Sequence, residues 1–154
     1  MTSPPSSGAA AQSLRAAGLR VTAPRLAVLE ELLRGGHVSA EHVTAAVRVR
    51  LGAVSTQAVY DVLHAFVASG LAARVEPAGS PAARFEARTR DNHHHVVCRS
   101  CGAVADVDCA VGAAPCLEPA ATHGFVIDQA EVTYWGLCPA CQANPQPPLE
   151  GAPS

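Results

Sequence analysis

Two Cys-x-x-Cys pairs, Cys98–Cys101 and Cys138–Cys141, constrain this chain more than any other feature. Each pair presents two thiolates from one tight turn, and two pairs complete a tetrahedral four-thiolate zinc site. The 36 residues between the pairs exceed the spacing of a compact zinc ribbon, so a shared Zn(II) would tie together the two ends of a small domain. Four thiolates leave no open coordination position, and the expected role is structural. Such a site supplies on the order of 10 kcal/mol of folding free energy, a large share for so small a core. Two independent redox pairs, or a chance arrangement, are the competing readings; pairs at opposite ends of one domain suit a thiol oxidoreductase poorly.

The pairs take this meaning from the compartment. No run of the 154 residues approaches a membrane span, and the start MTSPPSSGAAAQ lacks both the basic onset and the apolar segment of a secretory signal. A cytoplasmic protein without a membrane partner is expected. There thiols stay reduced, so six cysteines indicate metal ligation or redox sensing rather than a disulfide framework. Cys109 and Cys116 fall outside the paired pattern and remain open as buried thiols, a redox pair or extra zinc ligands.

The first pair is preceded by three histidines, RDNHHHVVCRSCG. In a strand, His93 and His95 point to one side and His94 to the other. His-x-His on one face is a good pair of metal ligands, with carboxylates available at Asp106 on the next strand and Glu86 upstream. Nitrogen and oxygen donors without thiolate suit Fe(II), Mn(II), Ni(II) or Zn(II). A solvated turn is the alternative. On the metal reading the stretch serves two sites, His93 and His95 in one and Cys98 and Cys101 in the other.

Charge and pattern divide the chain. Residues 1–88 carry nine Arg against six acids (+3), and residues 89–154 carry two Arg against seven acids (−5), so a polyanion would be bound by the first half. A first helix is predicted through Ala10–Ala17. A second is capped by Thr22, with Pro24 in its first turn and an apolar stripe of Leu26, Leu29, Leu32 and Leu33. A third starts at Ser39 and buries Val43, Ala46 and Val47. A fourth is capped by Ser55 and stops at Gly70. On this fourth helix Val59, Val62, Leu63, Phe66 and Val67 share one face. Gln57, Tyr60, Asp61, His64 and Ala68 share the opposite one. The segments LAARVEP and ARFEAR then read as a β-hairpin. Three helices and a hairpin in this order form a winged helix-turn-helix with Ser55–Ser69 as recognition helix, and double-stranded DNA as the ligand. Arg20, Arg25, Ser55, Thr56, Gln57 and Tyr60 are its candidate DNA-binding residues.

The second half alternates in short strands, HVVC, AVADV, GFVID and EVTYWGLC, with GAAPCLEPAATH as a short helix between the second and third. The overall expectation is an α+β chain: an arm over 1–12, a winged helix over 13–87, a hinge over 88–92, a metal-binding dimerisation domain over 93–142, and a disordered Pro-rich tail over 143–154.

The motifs GLRVTAPRLAVLE, QAVYDVLHAF, HHHVVCRSCG and YWGLCPAC together resemble the ferric uptake regulator family of metal-dependent repressors, over about residues 14–142. DNHHHVVCRSCGAVADVDC and EVTYWGLCP narrow the similarity to its actinobacterial, peroxide-responsive branch, which represses catalase-peroxidase genes. The resemblance implies structural zinc on Cys98, Cys101, Cys138 and Cys141. It implies a regulatory Fe(II) or Mn(II) held by His37, Glu86, His93, His95 and Asp106, with His37 and His93 as the oxidation-sensitive ligands. It further implies Tyr60 as a DNA-contacting residue, and a homodimer that binds operator DNA when the regulatory metal is present. Uptake repressors of iron or zinc in the same family are the alternative. The chain also departs from its relatives. Glu86 stands one residue further from His93 than the aspartate usual in some peroxide sensors. Asp61 replaces an Arg or Asn and disfavours phosphate contact there. Ala130 occupies the place of a histidine that serves an additional site in some members, so no third site is assigned. A zinc hydrolase or deaminase would need a His-x-Glu motif and a proline just before the second cysteine pair. Neither is present, and no catalytic role is expected.

Overall fold

The computed structural model describes residues 7–76, 82–87, 93–108, 121–126, 132–145 and 147, with His93 and Asp108 described by their strand backbone. The chain divides into two units, residues 1–90 and 91–154.

In the first unit, α1 (Ser7–Ala16) precedes α2 (Ala23–Leu33), β1 (Val38–Ser39), α3 (Ala40–Leu51), α4 (Thr56–Ala68), β2 (Ala73–Val75) and β3 (Arg84–Glu86). Local chemistry sets the helix starts. Thr22, Ser39 and Ser55 accept from the backbone N–H of Arg25, His42 and Ala58 respectively, which satisfies amides that the helices leave open. Pro24 lies in the first turn of α2, where its missing N–H is harmless. The core is formed by Leu14, Val28, Leu29, Leu32, Val43, Val47, Val59, Leu63, Phe66 and Phe85. Each of these side chains is apolar and falls at helical or strand spacing, so burial drives the packing.

Several expectations are corrected here. The first helix begins at Ser7 and Ala10 is buried, so residues 7–12 are helix rather than arm, because Ala10 and Leu14 share a face that α2 covers. Leu33 and Val67 stand at the ends of their stripes and are exposed. In α3, Ala46 is only half-buried, and Thr44 is buried instead, its hydroxyl donating to the Ala40 carbonyl at 2.7 Å. Two acids on α2 are also buried, each because a cation meets it. Glu30 pairs with Arg50 of α3, and Glu31 with Arg34 and with His42 Nε2 at 3.2 Å.

The hairpin is antiparallel, with Arg74 opposite Phe85, and β1 extends it to a three-stranded sheet in the order β1-β3-β2 by pairing Val38 with Phe85. Three helices and this sheet form the winged helix-turn-helix. The third strand was not legible, since two residues carry no periodicity.

In the second unit, β4 (His93–Cys98) lies between β5 (Val104–Asp108), antiparallel to it, and β6 (Thr133–Gly136), parallel to it; α5 (Pro139–Ala143) follows. The stretch GFVID is not a strand over residues 124–126, where the chain turns at Gly124 with φ +84°; its remainder lies outside the described residues. So do the short helix expected in GAAPCLEPAATH up to Ala120, Cys109 and Cys116, and the tail at 146 and 148–154. Ala143 belongs to α5 rather than to a tail. No helix among the described residues is long and apolar enough to cross a membrane.

Candidate functional site

The four cysteines come together because β4 and β6 run parallel and end side by side, with Cys98 opposite Gly136. After Cys98 the chain turns tightly. Gly102 donates its N–H to the Cys98 carbonyl at 2.9 Å and takes φ +70°, a conformation that favours glycine. This turn carries Cys101 back over the strand end. After Gly136 the second turn places Cys138 at the N-cap of α5, and Cys141 one turn later. The Arg99 N–H donates to the Gly136 carbonyl at 2.9 Å and stitches the two turns together.

All four Sγ atoms lie within 4.8 Å of one another, and Cys101 and Cys138 are 3.7 Å apart. A tetrahedron with Zn–S bonds of ~2.3 Å has an S–S edge of roughly 3.8 Å. The donor set therefore fits zinc in both chemistry and spacing. Electrostatics support the same conclusion. Burial raises the Cys98 thiol, but the backbone N–H groups of Cys138, Cys101 and Ser100 outweigh it and bring the thiol down to about 6. With that sulfur charged, Cys101 and Cys141 are held as thiols. Cys141 gains from the Ser100 hydroxyl, but Cys138, burial, Cys101 and Cys98 push it up to about 12. Cys101 is lowered by the backbone of Ala103 and raised, on balance, by burial and by Cys98 and Cys138. A dication is the group that relieves this crowding.

The histidines and carboxylates form two pairs, one in each unit. In the first unit β1 pairs with β3, which sets His37, just before Val38, beside Glu86. His37 Nε2 and Glu86 Oε2 are 2.8 Å apart, and both side chains are almost fully buried. In the second unit His95 and Asp106 are cross-strand partners in β4 and β5, with Nε2 and Oδ1 3.9 Å apart. His93 falls opposite Asp108, two residues along from His95 on the same strand; its side chain lies outside the described atoms. His94 is buried, with its ring 6.1 Å from that of Tyr134 in an edge-on arrangement. Its position on the other face of β4 separates it from His95.

On α4, Gln57, Asp61 and His64 are exposed, as are Ser55 and Thr56 at the helix start. Tyr60 is half-buried, and its hydroxyl donates to Glu41 Oε1 at 3.4 Å. Glu41 itself lies below the usual carboxylate range, through backbone and Ser39 hydrogen bonds with a smaller part from Tyr60. Arg20 is exposed, and Arg25 Nη1 donates to its carbonyl at 3.0 Å. Two residues not singled out from sequence shape this face. Glu41 holds Tyr60, and Arg48 donates to the Val54 carbonyl at 2.8 Å and to Thr56 Oγ1 at 3.2 Å, fixing the turn that enters α4. An arginine in the last turn of α3, six residues before a carbonyl left open by the turn, was the available signal.

The model of the family described as "Ferric uptake regulator family" matches residues 16–135. The chain belongs to the ferric uptake regulator family. It is 59% identical over 134 residues to the transcriptional regulator FurA of Mycobacterium tuberculosis, covering 87% of this chain and 90% of that one. It is 62% identical over 122 residues to the ferric uptake regulation protein 1 of Mycolicibacterium fortuitum, covering 79% and 75%. Among solved structures, the ferric uptake regulator of Pseudomonas aeruginosa with manganese superposes with a TM-score of 0.62 at 29% identity, over 84% of this chain and 98% of that one. Members of this family are transcription regulators, so the chain is a metal-dependent regulator of the Fur family and not an enzyme.

Proposed function

We propose that this chain is a peroxide-sensing repressor. It binds operator DNA as a homodimer when its regulatory metal is held, and controls catalase or other oxidative-stress genes. The observation that carries the reading is the donor chemistry of the two His–carboxylate pairs, His37–Glu86 and His95–Asp106, which contain no thiol. His93, on the strand of His95, joins them as the fifth ligand. Nitrogen and oxygen donors suit Fe(II) and Mn(II) rather than a thiolate-seeking metal. Fe(II) held by these residues would supply one-electron reduction of peroxide to a short-lived oxidant that reacts within bond lengths; in the net reaction one peroxide becomes water and one ring gains an oxygen. The residues exposed to that oxidant are therefore the ligating imidazoles, of which the family resemblance marks His37 and His93 as the sensitive ones. A ring that has gained oxygen ligates poorly, so oxidation of either weakens the hold on the metal. Because His37 and Glu86 belong to the DNA-binding unit and the other ligands to the second unit, a shared metal couples the arrangement of the two. Arg20, Arg25, Ser55, Thr56, Gln57 and Tyr60 form the proposed DNA-facing set, on the strength of the helix-turn-helix order and the surplus of arginine in the first half.

The test is mass spectrometry of the Fe(II)- and Mn(II)-loaded protein after stoichiometric peroxide, beside a DNA-binding assay. The iron form should gain one oxygen on the peptide holding His37 or His93 and release DNA; the manganese form should do neither. An iron form that keeps both histidines intact and stays on DNA favours the iron-uptake reading, which the name of the M. fortuitum relative supports.

A further inference from the structure

We infer that Gln57 and Asp61 act as one unit that reads an adenine in the major groove, with Gln57 touching the base and Asp61 positioning it. The inference rests on the reading of α4 as the recognition helix.

The two residues stand one turn apart near the N-terminal end of α4 (Thr56–Ala68) and both are exposed. Recognition helices meet base edges with their N-terminal residues. Gln57 Nε2 donates to Asp61 Oδ1 at 2.8 Å. A carboxylate only accepts, so this bond fixes which way the amide faces. Its nitrogen is turned to Asp61, which leaves Oε1 and the second N–H for an outside partner. That acceptor and donor match the N6 amino group and N7 of adenine, the bidentate pairing open to a glutamine.

The other bases fit this unit less well. Guanine presents two acceptors, O6 and N7, so Gln57 Oε1 would meet an acceptor. Thymine presents O4 and a methyl group, with the same conflict. Cytosine offers an amino donor but no adjacent N7 for the second N–H. The charge of Asp61 acts in the same direction. Beside a phosphate it is repelled, so it cannot anchor the backbone as an arginine there would. It is tolerated where the groove edge offers an amino group. The remaining neighbours on this face, Tyr60 and His64, sit with ring centroids 6.1 Å apart, and no hydrogen bond of theirs competes for the Gln57 amide among the described contacts.

The test is selection from a library of duplexes with a randomised stretch, using the full chain loaded with Mn(II), for wild type, Gln57→Ala, Asp61→Ala and Asp61→Asn. Wild type should enrich adenine at one position in each half-site. Gln57→Ala should lower that preference about tenfold. Asp61→Ala should lower it severalfold at the same position, because the amide is then free to turn over. Asp61→Asn should retain it, since the carboxamide oxygen still accepts from Gln57, while overall affinity rises with the lost negative charge. If the pair merely supports the helix surface, all three variants will select the wild-type sequence with unchanged preferences, and the inference is overturned while DNA recognition stands. A position sensitive to Gln57 that selects guanine, cytosine or thymine overturns it equally. A wild-type protein that enriches no sequence removes the DNA reading and this inference with it.

Discussion

Lowering the pH from 8 to 7 should weaken zinc binding at the four-cysteine site at least about a hundredfold. Zinc binds thiolates, so every sulfur that is a thiol in the metal-free protein must give up a proton when the metal enters. Cys98, brought to about 6, is already roughly nine-tenths thiolate at pH 7 and releases almost none. Cys141, pushed up to about 12, and Cys101, raised above its ordinary 9.0, are both thiols there. At least two protons therefore leave, and each contributes a tenfold change in apparent affinity per pH unit. Competition against a chromophoric chelator between pH 6.5 and 8, corrected for the chelator's own protons, reads the slope directly. Calorimetry in two buffers of different ionisation enthalpy counts the same protons independently. A slope below two protons per zinc would refute the charge distribution derived for the cluster. The metal-free protein gives the complementary sign. A thiol depressed from 9.0 to about 6 stabilises the fold fully above pH 9, and that contribution is lost as pH falls through 6. The contribution of Cys141 runs the other way, present below pH 9 and lost as pH rises towards 12.

Two further expectations concern the first unit. Arg50→Ala removes the cation that holds the buried Glu30 carboxylate below its ordinary 4.5, and should cost about 1–3 kcal/mol at pH 7 by urea denaturation. Burial raises that carboxyl, but Arg50, with smaller parts from Ser7 and Arg34, outweighs it, so the contribution is present above pH 4.5 and lost as pH falls through the folded value. The difference between variant and wild type should accordingly narrow as the pH falls below 4.5, and a gap that does not narrow with acidification would argue for lost packing instead. Phe85→Ala, at 1% exposure in the strand that carries Glu86, should destabilise by about 3–5 kcal/mol, with a thermal midpoint that falls whether or not metal is present.

Much of this architecture could be read from residue spacing because its causes are local. A Thr or Ser ahead of an apolar stripe is a cap whatever surrounds it, which is why Thr22, Ser39 and Ser55 marked their helices. The Cys-x-x-Cys turns are similarly self-contained. What escaped depends on partners distant in sequence. Val38 becomes a strand only because Phe85 lies across from it. Glu30 and Glu31 are buried only because Arg50 and Arg34 arrive to neutralise them, with His42 adding a hydrogen-bond partner to Glu31. Tyr60 was placed on the outer face by its phase. Its hydroxyl is nevertheless turned to Glu41, nineteen residues earlier, a contact that helical phase on α4 alone does not encode.

The distribution of donors explains why the proposed regulatory site would act as a switch and the cysteine site would not. Cys98, Cys101, Cys138 and Cys141 all belong to one unit and complete a coordination sphere there. Zinc held by them stabilises that unit without informing the other. The nitrogen and oxygen donors are divided: His37 and Glu86 lie in one unit, His95 and Asp106 in the other. A pair of donors fills half or less of the sphere that Fe(II) or Mn(II) prefers, so each unit alone is a weak site. On the proposed reading, affinity arises only in arrangements that present both pairs together. The metal at about 100 times its dissociation constant would then favour such arrangements by ~2.7 kcal/mol per site. On the same reading that bias would be roughly a hundredfold in population, enough to change operator occupancy, and would be lost with one of the ligating imidazoles. Full-chain variants follow from this: Glu86→Gln, in the DNA-binding unit, and Asp106→Asn, in the other, should lower Mn(II) affinity and metal-dependent DNA binding in parallel, while leaving the zinc content unchanged.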